Sequence, residues 1–335
     1  MLFSLLTIMR LGMPILCAAG LAKAEYLIED TYNATNFFNE FNFFSGKDPT
    51  EGFVSYSSAS TANKSSLAGY ANDGVFLGVD HTTVNPAGGR ASTRVESKKT
   101  YTRGLFISDI AHMPDSTCGV WPALWTVGQN WPANGEIDII EGVNQDTNNS
   151  VTLHTAPGCS MESTGSMAGS NLTSSDCNAD SAGTGCALKT ANKKGFGTGF
   201  NAIGGGVYAM EWTSTSIKVF FFPRSSIPAD IMAGNPDPKA WGPPAAAFGG
   251  SRCVIDDSFK NHTIVVNTTF CGNWAGQAWG TDGTCSSLAE TCDAYVAANP
   301  GAFATTFWQI NSIKVYQPNM GATKRDGTLA VPFSA

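Results

Sequence analysis

Three acids crowd into the run Asn134-Gly135-Glu136-Ile137-Asp138-Ile139-Ile140-Glu141-Gly142. Acidic and aliphatic residues alternate through Asp138, so the run reads as a β-strand with one acidic face and one apolar face. On a regular strand Glu136, Asp138 and Ile140 share a face and Glu141 points the other way, because side chains alternate with period two. One extra residue between Asp138 and Glu141 returns Glu141 to the acidic face. The spacing therefore predicts a β-bulge, a device that re-aims a side chain next to active sites. Acid–aliphatic alternation is ordinary for the wet face of an antiparallel strand. Three acids on one face, however, repel one another and cost stability unless they perform chemistry.

A pair of carboxylates about 5–5.5 Å apart is what retaining glycosidases use, one as nucleophile and one as proton donor. A straight strand rising about 3.3 Å per residue leaves the two Glu backbones farther apart than that. The strand must bend, and Glu136 and Glu141 must lean together over Asp138. The flanks support a sugar cleft. Trp121 and Trp125 precede the run, with Trp131, Pro132 and Asn134 at its door. Indole faces stack on the apolar faces of pyranose rings, but Trp is also highly buried on average, so one of the three is expected to be structural.

Short strand-like runs recur along the chain, among them Gly104–Ile110, Trp121–Val127, Val151–Thr155, Val207–Trp212, Ile217–Phe222 and Thr263–Thr268. Glycine-rich turns separate them, which predicts an all-β sandwich. Helical signals are confined to 257–260, 286–298 and 37–43. No fixed-period repeat and no Pro/Ser/Thr linker divides the chain, so one β-sandwich domain over 25–318 is expected, followed by a tail at 319–335. His154 lies on the strand after the acidic run. Consecutive strands usually neighbour each other, so a cleft-facing His154 can reach Asp138 or a sugar hydroxyl. A Gly197-x-Gly199-x-x-Ala202 match lacks the β-α-β setting of a dinucleotide site, and no Gly-x-Ser-x-Gly elbow is present.

The Glu136–Glu141 hexapeptide resembles the signature of glycoside hydrolase family sixteen, in the longer, bulged form found in laminarinases. The resemblance continues through Tyr26 to Phe53, Arg94 to Arg103, Tyr208 to Trp212, Phe270 to Gly276 and Phe307 to Tyr316. It is strongest toward secreted fungal endo-1,3(4)-β-glucanases. It implies a β-jelly roll of two curved antiparallel sheets with a concave substrate cleft. It implies Glu136 as nucleophile, Glu141 as general acid/base and Asp138 as the acid that tunes their protonation. Arg94, His154, Trp274 and Gln277 then join Trp121, Trp125, Trp131 and Asn134 as substrate-binding candidates. The implied activity is retaining hydrolysis of β-1,3 and mixed β-1,3/1,4 glucans. A cell-wall glucan transglycosylase and a non-catalytic glucan-binding protein of the same fold stay open as alternatives. No cofactor or catalytic metal is implied; Asp256, Asp257 and Asp282 are candidate ligands for a structural calcium.

The ends read as those of an exported protein. Residues 1–24 hold Arg10, an apolar stretch from Met13 to Leu21 and a small-x-small site at Ala22-Lys23-Ala24, the pattern of a signal peptide. Nine cysteines become eight once Cys17 leaves with that segment, and an even count in a secreted chain reads as four disulfides stapling long loops. Sequons at Asn33, Asn63, Asn148, Asn171, Asn261 and Asn267 mark candidate glycan sites. A net charge of −7 disfavours nucleic acid and is neutral toward an uncharged glucan, and no later segment is apolar enough to span a bilayer. A secreted, extracellular monomer acting on β-glucan is the expectation.

Overall fold

The computed structural model describes residues 25–164, 167–179 and 185–319. The expected signal segment and the tail beyond Asn319 lie outside the described residues. Two large antiparallel sheets, of eight and nine strands, make the framework. We number the strands of the sheet that carries the acidic run β1 (Phe41–Phe43), β2 (Arg94–Ser97), β3 (Val120–Gly128), β4 (Glu136–Glu141), β5 (Ser150–His154), β6 (Asn171–Ser174), β7 (Cys186–Lys189) and β8 (His262–Phe270). Their order across the sheet is β6-β7-β5-β4-β3-β8-β2-β1, which puts β4 near the middle. Gly104–His112, Gly206–Trp212 and Phe307–Pro318 run through the interior of the partner sheet.

Period-two alternation decides what each strand buries. Leu124 of β3, Ile137 and Ile140 of β4, Val151 and Leu153 of β5 and Val266 of β8 face inward, each at most 1% exposed. They share one core with Phe106, Met210, Trp212, Trp308 and Val315 of the partner sheet. Each aliphatic side chain buried this way contributes roughly 1.5–3 kcal/mol. The cleft face of the same strands is then left free to carry polar and aromatic groups.

The sandwich expectation holds, with local differences. The strand-like stretch 91–96, another run of the same kind in the sequence, splits at Thr93: Arg90–Ser92 pairs in parallel with Val54–Tyr56, while β2 joins β8 and β1. The helical signal over 286–298 breaks into a 3₁₀ turn at Cys285–Ser287 and a helix at Cys292–Ala298. The break is local chemistry: the Thr291 side chain accepts from Ala294 N and starts a new helix. Several strands gave no clear signal because small residues dominate them, as in Ala68–Ala71 and Ala246–Gly249.

Four disulfides form, Cys118–Cys285, Cys159–Cys253, Cys177–Cys186 and Cys271–Cys292. Two of them tie the 271–292 stretch to the start of β3 and the end of β8, over a satellite core of Val120, Phe270, Trp279, Val296 and Phe303. Arg90, with no exposed surface, pairs with Asp80 at 3.0 Å and donates to the carbonyls of Val296 and Ala297. The loop that brings Trp274 to the cleft is therefore held from below.

Candidate active site

The predicted bulge is present. In the β3–β4 ladder Asp138 faces Trp125 and Ile140 faces Leu124, so Ile139 is the surplus residue. Against β5 the register moves from Asp138–Thr152 to Glu141–Ser150. Ile139 and Ile140 are consequently both buried, at 3% and 0%, and Glu141 comes round to the side of Glu136 and Asp138. Gly135, with φ +78, lets the turn into β4 pass against the Ser258 carbonyl, where a Cβ would come within 2.4 Å.

Parity on β3 brings tryptophan to the same face. Trp121, Ala123 and Trp125 share one face of β3, with Ala123 opposite Glu141 and Trp125 opposite Asp138 in register. The Trp121 indole nitrogen donates to Glu141 Oε1 at 3.2 Å. Trp131 is 51% exposed, and its indole helps draw the Glu136 carboxyl down. The expectation that one of these three is structural is wrong: Trp121 and Trp125 are half-buried at the cleft and Trp131 is on its rim. The core is filled instead by Trp212 and Trp308, and Trp279 packs beneath the cleft loop with its indole on the Ala289 carbonyl.

His154 lies opposite Glu136 in the β4–β5 ladder, and its Nε2 is 3.4 Å from Asp138 Oδ2. Gly185, with φ +58, lies so close to the imidazole that a Cβ would meet Nδ1 at 2.8 Å. The backbone of that glycine backs the ring toward the acids.

The three carboxyls perturb one another. Burial pushes Glu136 up to about 8 and Asp138 adds to the rise, while the His154 charge, the Trp131 indole and Arg94 pull the other way. Burial also lifts Asp138 to about 8, against a hydrogen bond with Glu136. Glu141 is held well above the usual carboxylate range by burial first, then by the charges of Asp138 and Glu136; His154 and the Trp121 bond oppose them. All three carboxyls are shifted toward their protonated forms, and Glu136 has the most groups favouring its ionised form.

The other candidates fall around this centre. Arg94 is buried, paired with Glu96 at 2.8 Å, and its guanidinium lies between the rings of Phe44 and Trp125, at 4.4 and 5.0 Å. It props Trp125 from behind. Trp274 packs edge-on against Trp121 at 5.5 Å, and Gln277 is exposed on the same loop. Asn134 braces the turn into β4. Its side chain donates to the Gln129 carbonyl, and its own carbonyl accepts from buried His262 Nε2 at 2.7 Å. Asp256 pairs with Arg103, and Asp282 closes a turn onto the amides of Thr284 and Cys285.

Sequence reasoning missed two residues of this site. Asn267, singled out only as a sequon, is 7% exposed; its Oδ1 accepts from the Trp125 indole at 2.8 Å and its Nδ2 donates to the Tyr56 hydroxyl at 3.1 Å. Asn149 is fully buried beneath the bulge. Its place one residue before β5, opposite the irregularity, was the available signal, and it required knowing the ladder.

Residues 41–316 match a family model described as the XgeA-like, catalytic GH16 domain. An endo-1,3(4)-β-glucanase of Arthroderma benhamiae is 46% identical over 311 residues, covering 91% of this chain and 68% of that protein. A probable endo-1,3(4)-β-glucanase of Aspergillus fumigatus is 48% identical over 305 residues, covering 89% of this chain but only 46% of its relative. Among solved structures, an elongating GH family 16 β-1,3-glucosyltransferase superposes with a TM-score of 0.81 at 42% identity, covering 87% of this chain and 100% of that one. Laminarinase 16A of Phanerochaete chrysosporium, bound to β-glucans in donor and acceptor sites, gives 0.82 at 40% identity, covering 87% and 99%. With the family model spanning both sheets and the bulged acidic strand, this chain belongs to glycoside hydrolase family 16, in its XgeA-like group.

Proposed function

We propose that this chain is a retaining endo-β-glucanase that cleaves β-1,3 and mixed β-1,3/1,4 glucans by double displacement. The observation that carries the reading is the bulge in β4, which gathers Glu136, Asp138 and Glu141 under Trp121, Trp125 and Trp131. Ionised Glu136 attacks the anomeric carbon as the glycosidic C–O bond breaks, and Glu141 delivers its proton to the departing oxygen. Glu141, now a carboxylate, takes a proton from water; the water oxygen attacks the same carbon and frees Glu136, with net retention. Asp138 lies between the two glutamates on the bulged strand, and its charge helps keep the Glu141 proton in place. Trp121, Trp125, Trp131, Trp274 and Gln277 form the sugar-binding surface, Arg94 supports Trp125, and His154 steadies the acids. The names and bound glucans of the relatives favour this substrate class.

The test is the release of reducing ends from laminarin and barley β-glucan, with proton NMR of the first product. A β-anomer appearing first supports the reading, and an α-anomer appearing first rejects it. A second reading, glucan transglycosylation, is favoured by the likeness to a glucosyltransferase at 42% identity. Products longer than the substrate, growing with acceptor concentration, would select it. We further propose that the protein is exported as a monomer, with glycans at the exposed sequons Asn63, Asn171 and Asn261.

A further inference from the structure

We propose that Asn149 is a positioning residue for Glu141, its side-chain amide standing in for the peptide unit that the bulge displaces from the ladder. A regular β4–β5 pair would satisfy the Ile139 carbonyl and the Glu141 amide with backbone partners. The surplus residue breaks that pattern and strands both groups in the interior, where unpaired polar atoms are costly. Asn149 meets both. Its Oδ1 accepts from Glu141 N at 2.8 Å, and its Nδ2 donates to the Ile139 carbonyl at 2.8 Å. An amide side chain carries the same donor and acceptor as a peptide, so asparagine completes the gap where an ionised carboxylate or an alkyl group cannot.

Asn149 is itself fixed. It has no exposed surface, and its carbonyl accepts from Thr190 N at 2.9 Å and Thr190 Oγ1 at 3.1 Å. Glu141 is thus gripped twice: Asn149 holds its backbone on the core side, and Trp121 holds its carboxyl at 3.2 Å in the cleft. The first grip sets the direction of the Cα–Cβ bond, and the second sets the end of the side chain. Without the first, Glu141 loses its aim at the leaving oxygen while Glu136, three pairs away in the β4–β5 ladder, keeps its own. The inference rests on the assignment of Glu141 as the general acid/base.

The experiment separates aim from general damage by the need for a proton. Cleavage of laminarin needs an acid, whereas release of 2,4-dinitrophenolate from a dinitrophenyl β-laminaribioside does not. For Asn149→Ala we expect kcat/KM on laminarin to fall about a hundredfold, and the pre-steady-state burst of dinitrophenolate to change less than about threefold. Azide, attacking the glycosyl–enzyme and displacing the Glu136 carboxylate, should restore turnover and yield the β-glycosyl azide. Asn149→Asp provides a second variant of nearly the same shape. Its carboxylate keeps the acceptor, and its protonated form regains the donor, so laminarin activity should recover relative to Asn149→Ala as pH falls. Equal losses on both substrates, or no loss on either, would overturn the proposal. Glu141→Ala is the control. If it lacks the dinitrophenolate burst and azide rescue, the acid/base assignment itself fails, independently of anything Asn149 does.

Discussion

His154 Nε2 lies 3.4 Å from Asp138 Oδ2, a contact that crosses from β5 to β4 between residues that are not partners in the ladder. The imidazole reaches past Glu136, its register partner, to the middle acid of the three. Whenever the imidazole carries a proton, its charge draws down both glutamates.

Replacing His154 with Asn removes that charge, so Glu136 and Glu141 both rise. Ionised nucleophile then becomes scarcer on the acid side. We expect the acid limb of the kcat/KM profile on laminarin to move up by about one pH unit, the size of a nearby-charge effect. A uniform drop with unmoved limbs would refute the electrostatic role.

Glu136→Gln should inactivate the protein and stabilise it. The folded state raises this carboxyl from 4.5 to about 8, so it binds a proton that the unfolded chain has already released. Its contribution is intact below pH 4.5 and is lost as pH climbs through 8. The amide avoids that loss. Melting curves should place the variant a few degrees above wild type at pH 8 and level with it near pH 4.

The opposite sign applies to His262. It is fully buried, donates through Nε2 to the Asn134 carbonyl and accepts from Thr126 at Nδ1, and burial lowers it from 6.5 to about 4. The unfolded chain takes up the proton first, so stability falls as pH drops from 6.5 to 4, by up to about 3 kcal/mol. His262→Gln should be less stable at pH 7 and should lose less on acidification. Parallel slopes for the two proteins would count against this account.

Asn267→Ala leaves the Trp125 indole without its acceptor and the Tyr56 hydroxyl without its donor. The expected cost is about 1–3 kcal/mol of stability, with a several-fold rise in KM for laminarin and a smaller change in kcat. The same burial makes Asn267 an empty sequon. Peptide mass mapping of protein made in a glycosylating host should find it unmodified; a glycan there would contradict its place beside Trp125.

The acidic run was legible because its signal is local. Alternation marks a strand, and one misplaced acid marks a bulge, so Glu136, Asp138, Glu141 and an extra residue between Asp138 and Glu141 follow from spacing alone. His154 followed from one further rule, that successive strands tend to pair. The tryptophans were misjudged because average burial is a weaker guide than parity: Trp121 and Trp125 share a face with the acids once the β3–β4 register is known.

Local pattern therefore determined the all-β class, the acidic face and its irregularity, since strand period and residue polarity act over a few neighbours. Tertiary structure decided what holds that face in shape. Asn149 meets Glu141 only when β5 lies beside β4, Asn267 meets Trp125 only when β8 lies beside β3, and Arg94 is clamped only when Phe44 crosses it. Each of those contacts depends on strand order, and strand order is set by the shared burial of the whole core, not by any one segment's own preferences.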